Sequence, residues 1–159
     1  MQKETATVTL EDWEIELLNV FVGLFDSFGV PKSVAQIYGV LFCADGPLSQ
    51  EEIGQKLQIS AGSASQGLRL LVELGAAHRQ SVPGQRGNQF TPERSMRRLL
   101  GYFIDAKMRP RMRTGKERLE ALRDQLPPEN KLAQQRLESL LQWQDKANKL
   151  LPLISKFLG

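Results

Sequence analysis

Residues 48–90 constrain the fold more than any other part of the chain. They read LSQEEIGQKLQISAGSASQGLRLLVELGAAHRQSVPGQRGNQF. Ser49 with Glu52 three residues later forms a capping box, so a helix starts there, with Ile53 and Leu57 on its apolar side. Ile59 and Ser60 make a short turn, and Ser60 caps a second helix. Ala64, Gly67, Leu68, Leu71 and Leu74 recur on one face of that helix, and Gly75 stops it. Ala76 to Val82 and Asn88 to Phe90 then read as two strands joined by the loop Pro83-Gly84-Gln85-Arg86-Gly87.

Helix, tight turn, helix and hairpin, in that order, are the parts of a winged helix-turn-helix. The sequence therefore predicts a mainly α chain with a small β-hairpin wing, an α+β class. Long N- and C-terminal helices for dimerisation flank the wing. The first helix is expected after Thr9, with Thr9 and Asp12 as a cap pair. Its apolar spacing uses Trp13, Leu17, Leu18, Phe21, Leu24, Phe25 and Phe28, and Gly29 ends it. Pro31 opens the next helix, which carries Val34, Ile37, Tyr38, Leu41 and Phe42. Thr91-Pro92 reads as a cap followed by Pro at the first helical position. A long helical region follows to about Leu126, broken or kinked at Pro110, and Pro127-Pro128 separates it from a last helix. The expected division is residues 1–30 as an N-terminal helix, 31–91 as the DNA-binding module and 92–159 as the helical dimerisation region.

Charge is distributed unevenly. Three Lys/Arg face nine Asp/Glu up to Ile59, twelve face four from Ser60 to Arg118, and six face five beyond. Positive charge thus begins at the second helix of the motif, an electrostatic footprint for a polyanion such as double-stranded DNA. Enzymatic chemistry finds no foothold: one His and one Cys give no metal cluster or triad, and no phosphate loop is present. His78 reads as an exposed strand residue beside the wing, and Cys43 as a buried reduced thiol. No cofactor is implied. No apolar run is long enough to span a membrane. The opening MQKETATVTLEDWEIELL lacks the apolar core of a signal peptide, which points to the cytoplasm.

Helical phasing at about 100° per residue places Gly62, Gln66, Arg69 and Glu73 opposite the apolar face, with Ser63 and Ser65 beside them. Groove-reading helices touch bases mainly through their N-terminal turns. Ser63, Ser65 and Gln66 are therefore the candidate base readers. Gln can pair bidentately with adenine, and a Ser hydroxyl can donate or accept. Ser60 and Gly62 lie at the helix start, where backbone amides can approach a phosphate. Arg69 lies one turn further on, at phosphate distance, and Glu73 is expected to stand clear of the DNA backbone. Gly67 fits close packing against the preceding helices. Arg79 on the first strand and Gln85 and Arg86 at the hairpin tip complete the candidate DNA contacts.

The stripe Leu132, Leu137, Leu140, Leu141, Trp143, Leu150 and Ile154 is too long to bury against a small module. A second copy of the chain can cover it, and a two-fold homodimer matches palindromic half-sites. Burial within the chain is the competing assignment.

From Gly29 to Phe90 the chain resembles the MarR-type winged-helix regulators, and most of all their GbsR-like branch. The resemblance rests on Gly29-Val30-Pro31, Ile37-Tyr38-Gly39-Val40-Leu41 and Pro47-Leu48-Ser49. It continues through Ile53-Gly54, Leu57, Ile59-Ser60, Gly62-Ser63-Ala64-Ser65, Leu68-Arg69, Leu74-Gly75, Val82-Pro83-Gly84 and Arg86. It implies a prokaryotic homodimeric transcription factor, with the repressor role found among some GbsR-like proteins. Some of these respond to choline, so the resemblance also raises a small-molecule effector. Choline would want an aromatic cage. Trp13, Phe21, Phe25, Tyr38 and Trp143 could supply rings, with core packing as the alternative. Ala61 departs from the family, which often carries a basic residue there; this removes one phosphate contact, so DNA affinity is expected either to be weaker or to rest more on Arg69, Arg79 and Arg86. A different class of function is a winged helix that docks a protein and has no DNA role. The polar Ser-Gly-Ser-Ser-Gln surface favours DNA over that reading, although Leu70 flanks the exposed face.

Overall fold

The computed structural model describes residues 10–84 and 87–158. They fall into two compact units, the first ending at Arg94 and the second beginning at Ser95.

The first unit runs α1 (Asp12–Asp26), α2 (Lys32–Cys43), β1 (Leu48–Ser49), α3 (Gln50–Leu57), α4 (Ala61–Glu73), β2 (Ala77–Ser81) and β3 (Asn88–Pro92). Helix α1 starts one residue after Glu11, whose backbone N–H donates to Glu14 at 2.8 Å. The cap is thus Glu11 with Glu14; Thr9 lies outside the described residues. Only Leu18, Phe21 and Phe25 of the expected apolar stripe are buried, while Trp13, Leu24 and Phe28 are exposed. Gly29 sits at φ 69° after the helix, where a side chain would be strained.

The core centres on α2. Ile37, Tyr38 and Leu41 are fully buried, joined by Ile53 of α3 and Leu68 and Leu71 of α4. The Tyr38 ring meets Phe21 edge-on at 4.9 Å and Phe25 at 5.1 Å. Its hydroxyl donates to the Glu93 backbone carbonyl at 2.7 Å. Burial, reinforced by the nearby Glu93 carboxylate, raises the pKa of this phenol. Three of the five rings considered for a choline cage are therefore core aromatics. Cys43 is half-buried, and burial raises the pKa of its thiol.

The sheet has three strands in the order β1-β3-β2, all antiparallel neighbours. Two points depart from the sequence reading. Leu48 and Ser49 form an additional short strand opposite Phe90 and Gln89. Two residues are too few to show any alternation. Thr91 and Pro92 belong to β3, opposite His78 and Ala77, and do not start a helix. Pro92 has no N–H to continue the ladder, so it sits at the strand end, and the Glu93 N–H donates to Ala76 O instead at 2.9 Å.

The second unit holds α5 (Met96–Phe103), a π-helical turn (Ile104–Met108), α6 (Arg109–Gln125) and α7 (Lys131–Leu158). Ser95, not Thr91, caps α5 by accepting from the Arg98 N–H. The expected break at Pro110 is resolved by the wide turn. Arg109 N–H reaches Ile104 O, five residues back, and Pro110 has no N–H to restore the ordinary ladder. Residues 126–130 separate α6 from α7, whose first turn is capped by Asn130 accepting from the Ala133 N–H. The buried face of α7 begins apolar with Leu137 and Leu141 and turns polar at Gln144 and Ser155. No helix is long and apolar enough to cross a membrane among the described residues.

Candidate nucleic-acid interface

Helix α4 is held by local chemistry at its start and by packing along its inner face. Ser60 Oγ accepts from the Ser63 N–H at 3.1 Å and lies 3.0 Å from the Ser63 hydroxyl. This fixes the first turn and leaves Ser60, Gly62 and Ser63 exposed. The inner residues Ala64, Gly67, Leu68 and Leu71 are buried as phasing predicted. A Cβ at Gly67 would overlap the terminal methyl of Ile37, so a larger residue there would require the Ile37 side chain to move. Gly62 is different. Among the described residues a Cβ there would meet only Ser60 Oγ, at 3.9 Å, an ordinary contact that does not demand glycine.

A further hydrogen bond sets the angle between the two helices of the motif. Gln50 Nε2, at the first position of α3, donates to Ala61 O at 3.0 Å. Helix α3 then ends at Gln58 in the left-handed region, φ 53°, which turns the chain sharply toward α4.

The outward face of α4 carries Gln66 and Arg69 exposed and Ser65 half-buried. Between this face and the hairpin lies an open groove of about 320 Å³. Arg69 and Glu73 line it from α4, Arg79 and Asn88 from the strands, and Gln50 from α3. Arg79 stands on β2 opposite Phe90, in a strand exposed at every position after Ala77. The structure therefore gathers Ser65, Arg69 and Arg79 on one groove, with Ser60, Gly62, Ser63 and Gln66 exposed on the same helix. Gln85 and Arg86 lie outside the described residues. Sequence reading missed Gln50 and Asn88, because their roles come from tertiary placement and neither stands on the phased face of α4. Glu73, expected to stand clear of the DNA backbone, lines the groove beside the two arginines.

His78 is exposed on β2, with Nε2 3.6 Å from the buried Glu93 carboxylate. Of the candidate dimerisation residues on α7, Leu137 and Leu141 are buried within the second unit. Leu132, Leu140, Trp143, Leu150 and Ile154 are exposed, Trp143 by 62%. Leu153 and Phe157, not singled out from the sequence, extend that apolar surface, Phe157 being 81% exposed.

No family model matches the chain, and no curated protein matches it. Among solved structures, a crystal structure of a transcriptional regulator superposes with a TM-score of 0.68. The match spans 92% of this chain and 95% of that one, at 23% sequence identity. Likeness at that identity speaks to fold. The chain has a winged-helix fold. Helices α2, α3 and α4 are its three-helix core, and β2 with β3 forms the wing.

Proposed function

We propose that this protein is a sequence-specific DNA-binding transcriptional regulator that works as a homodimer in the cytoplasm. Helix α4 enters the major groove, and the wing lies on the adjacent backbone or in the minor groove. The observation that carries this reading is the surface of α4. Near its N-terminal end its outward residues are small or polar, their local hydrogen bonds are made at the cap, and a groove with Arg69, Arg79 and Glu73 runs beside them. A duplex backbone is a polyanion that fits between such a helix and wing.

Gln66 and Ser63 are the base readers in this arrangement, and Arg69 and Arg79 the phosphate contacts. The exposed apolar residues of α7 supply the seam for a second copy, which would pair two recognition helices across a two-fold axis. The family resemblance from Gly29 to Phe90 supports the same assignment and favours repression as its outcome.

Selection of binding sites from random-sequence duplexes tests the reading. The expected product is an inverted repeat whose half-sites lie about one helical turn apart. Recovery of no common sequence would contradict it.

A further inference from the structure

The second unit contains a polar cleft that winged-helix DNA binding does not use. It is open, has a volume of about 370 Å³, and is lined by Asp105, Arg109, Pro110, Arg113 and Asn148. Asp105 belongs to the π-helical turn, the arginines to α6, and Asn148 to α7.

Its charges do not balance. Arg109 and Arg113 are four residues apart, so their guanidinium groups share a helix face, an arrangement that is repulsive when uncompensated. Asp105 compensates only one of them. Its carboxylate accepts from Arg109 Nη1 at 3.0 Å and from the buried Ser155 hydroxyl at 2.7 Å. Those two hydrogen bonds, Ser155 first, hold Asp105 below the usual carboxylate range, so it stays charged and committed to Arg109. Arg113 has no acidic partner among the described residues. Across the cleft, Asn148 adds a carboxamide that can donate a hydrogen bond.

We propose that this cleft binds a small oxyanion, a carboxylate or phosphate group, with Arg113 as the principal ligand, Asn148 opposite it and Arg109 at the rim. A planar guanidinium suits two-point contact with either group, and the bound anion would relieve the repulsion along α6. The proposal stands whether or not the first unit binds DNA.

Calorimetric titration of the full chain with inorganic phosphate and with succinate, at ionic strength held constant with chloride, tests it. Saturable binding of one anion per chain is expected for at least one probe. Arg113→Gln should weaken that binding about tenfold or more, as loss of a charged hydrogen-bonding partner implies. Asn148→Asp, which adds a carboxylate to the cleft, should weaken it as well. Arg111→Gln, on the same helix but outside the cleft, should leave it unchanged, and thermal melts of all three variants establish that they fold. Absence of saturable binding would overturn the proposal. Equal losses in Arg111→Gln and Arg113→Gln would also overturn it, because they would signify diffuse attraction to α6. A loss of duplex DNA affinity in Arg113→Gln without any small-anion binding would do the same.

Discussion

Gln58 holds the turn between α3 and α4 in a conformation that glycine adopts more easily. Its φ of 53° places Cβ against the backbone, at a cost of about 1 kcal/mol. Gln58→Gly should therefore raise stability by up to about 1 kcal/mol, less the greater entropy that glycine gives the unfolded chain. Denaturant unfolding checks this, and a lower midpoint would mean the Gln side chain supports the turn in another way. Ser60→Ala should act in the opposite direction. It removes the acceptor for the Ser63 N–H and should destabilise the DNA-free chain by about 1 kcal/mol in the same assay. Ser49 and Ser60 were legible as caps because capping depends on residues three apart in sequence. Gly67 was legible as a packing position from helical phase, although its partner Ile37 was not. Thr91-Pro92 misled because it has the local form of a helix start, while the pairing of Pro92 with Ala77 across the hairpin decided its conformation.

Among the elements, α4 and the wing form a groove lined mainly by neutral side chains, with two cations and one carboxylate. Glu73 faces it together with Arg69 and Arg79. In the proposed complex a carboxylate there would repel phosphates and weaken binding to any sequence. Glu73→Gln should strengthen affinity for cognate and scrambled duplexes alike, by a similar factor. Fluorescence anisotropy at fixed salt measures it, and a change confined to one sequence would assign Glu73 to base reading. In the second unit, Gln144 lies on the buried face of α7, only 5% exposed. Its Nε2 donates to Met112 O, while its Oε1 has no hydrogen-bond partner among the described residues. An orphaned buried acceptor costs about 1–3 kcal/mol. Gln144→Met should thus be neutral or stabilising in a thermal melt, and a large loss would show that the hydrogen bond to Met112 outweighs the orphan. The polar half of the α7 seam was not legible in the sequence. Gln144 and Ser155 look like surface residues until α5, the π-helical turn and α6 are placed against them. The π-helical turn was foreshadowed only as a break at Pro110, since proline marks a missing N–H but not how the ladder closes around it.

In the whole molecule, the proposed division of labour gives sequence reading to the first unit and self-association to exposed apolar residues of the second. The order α3, α4, β2, β3 was legible because caps, stops and periodicity all agreed there. The extent of the apolar surface was not, because periodicity alone cannot say which side of a helix the chain itself covers. Leu137 and Leu141 turned inward, and Leu153 and Phe157 outward. The central claim is that the outer face of α4 discriminates among DNA sequences. It is tested most directly by the ratio of affinities for a selected duplex and its scrambled counterpart, measured by anisotropy at one physiological salt concentration. The account predicts a ratio of about 10³ or more, falling about tenfold or more in Gln66→Ala with little change in affinity for the scrambled duplex. Equal affinity of the unaltered protein for both duplexes would contradict it.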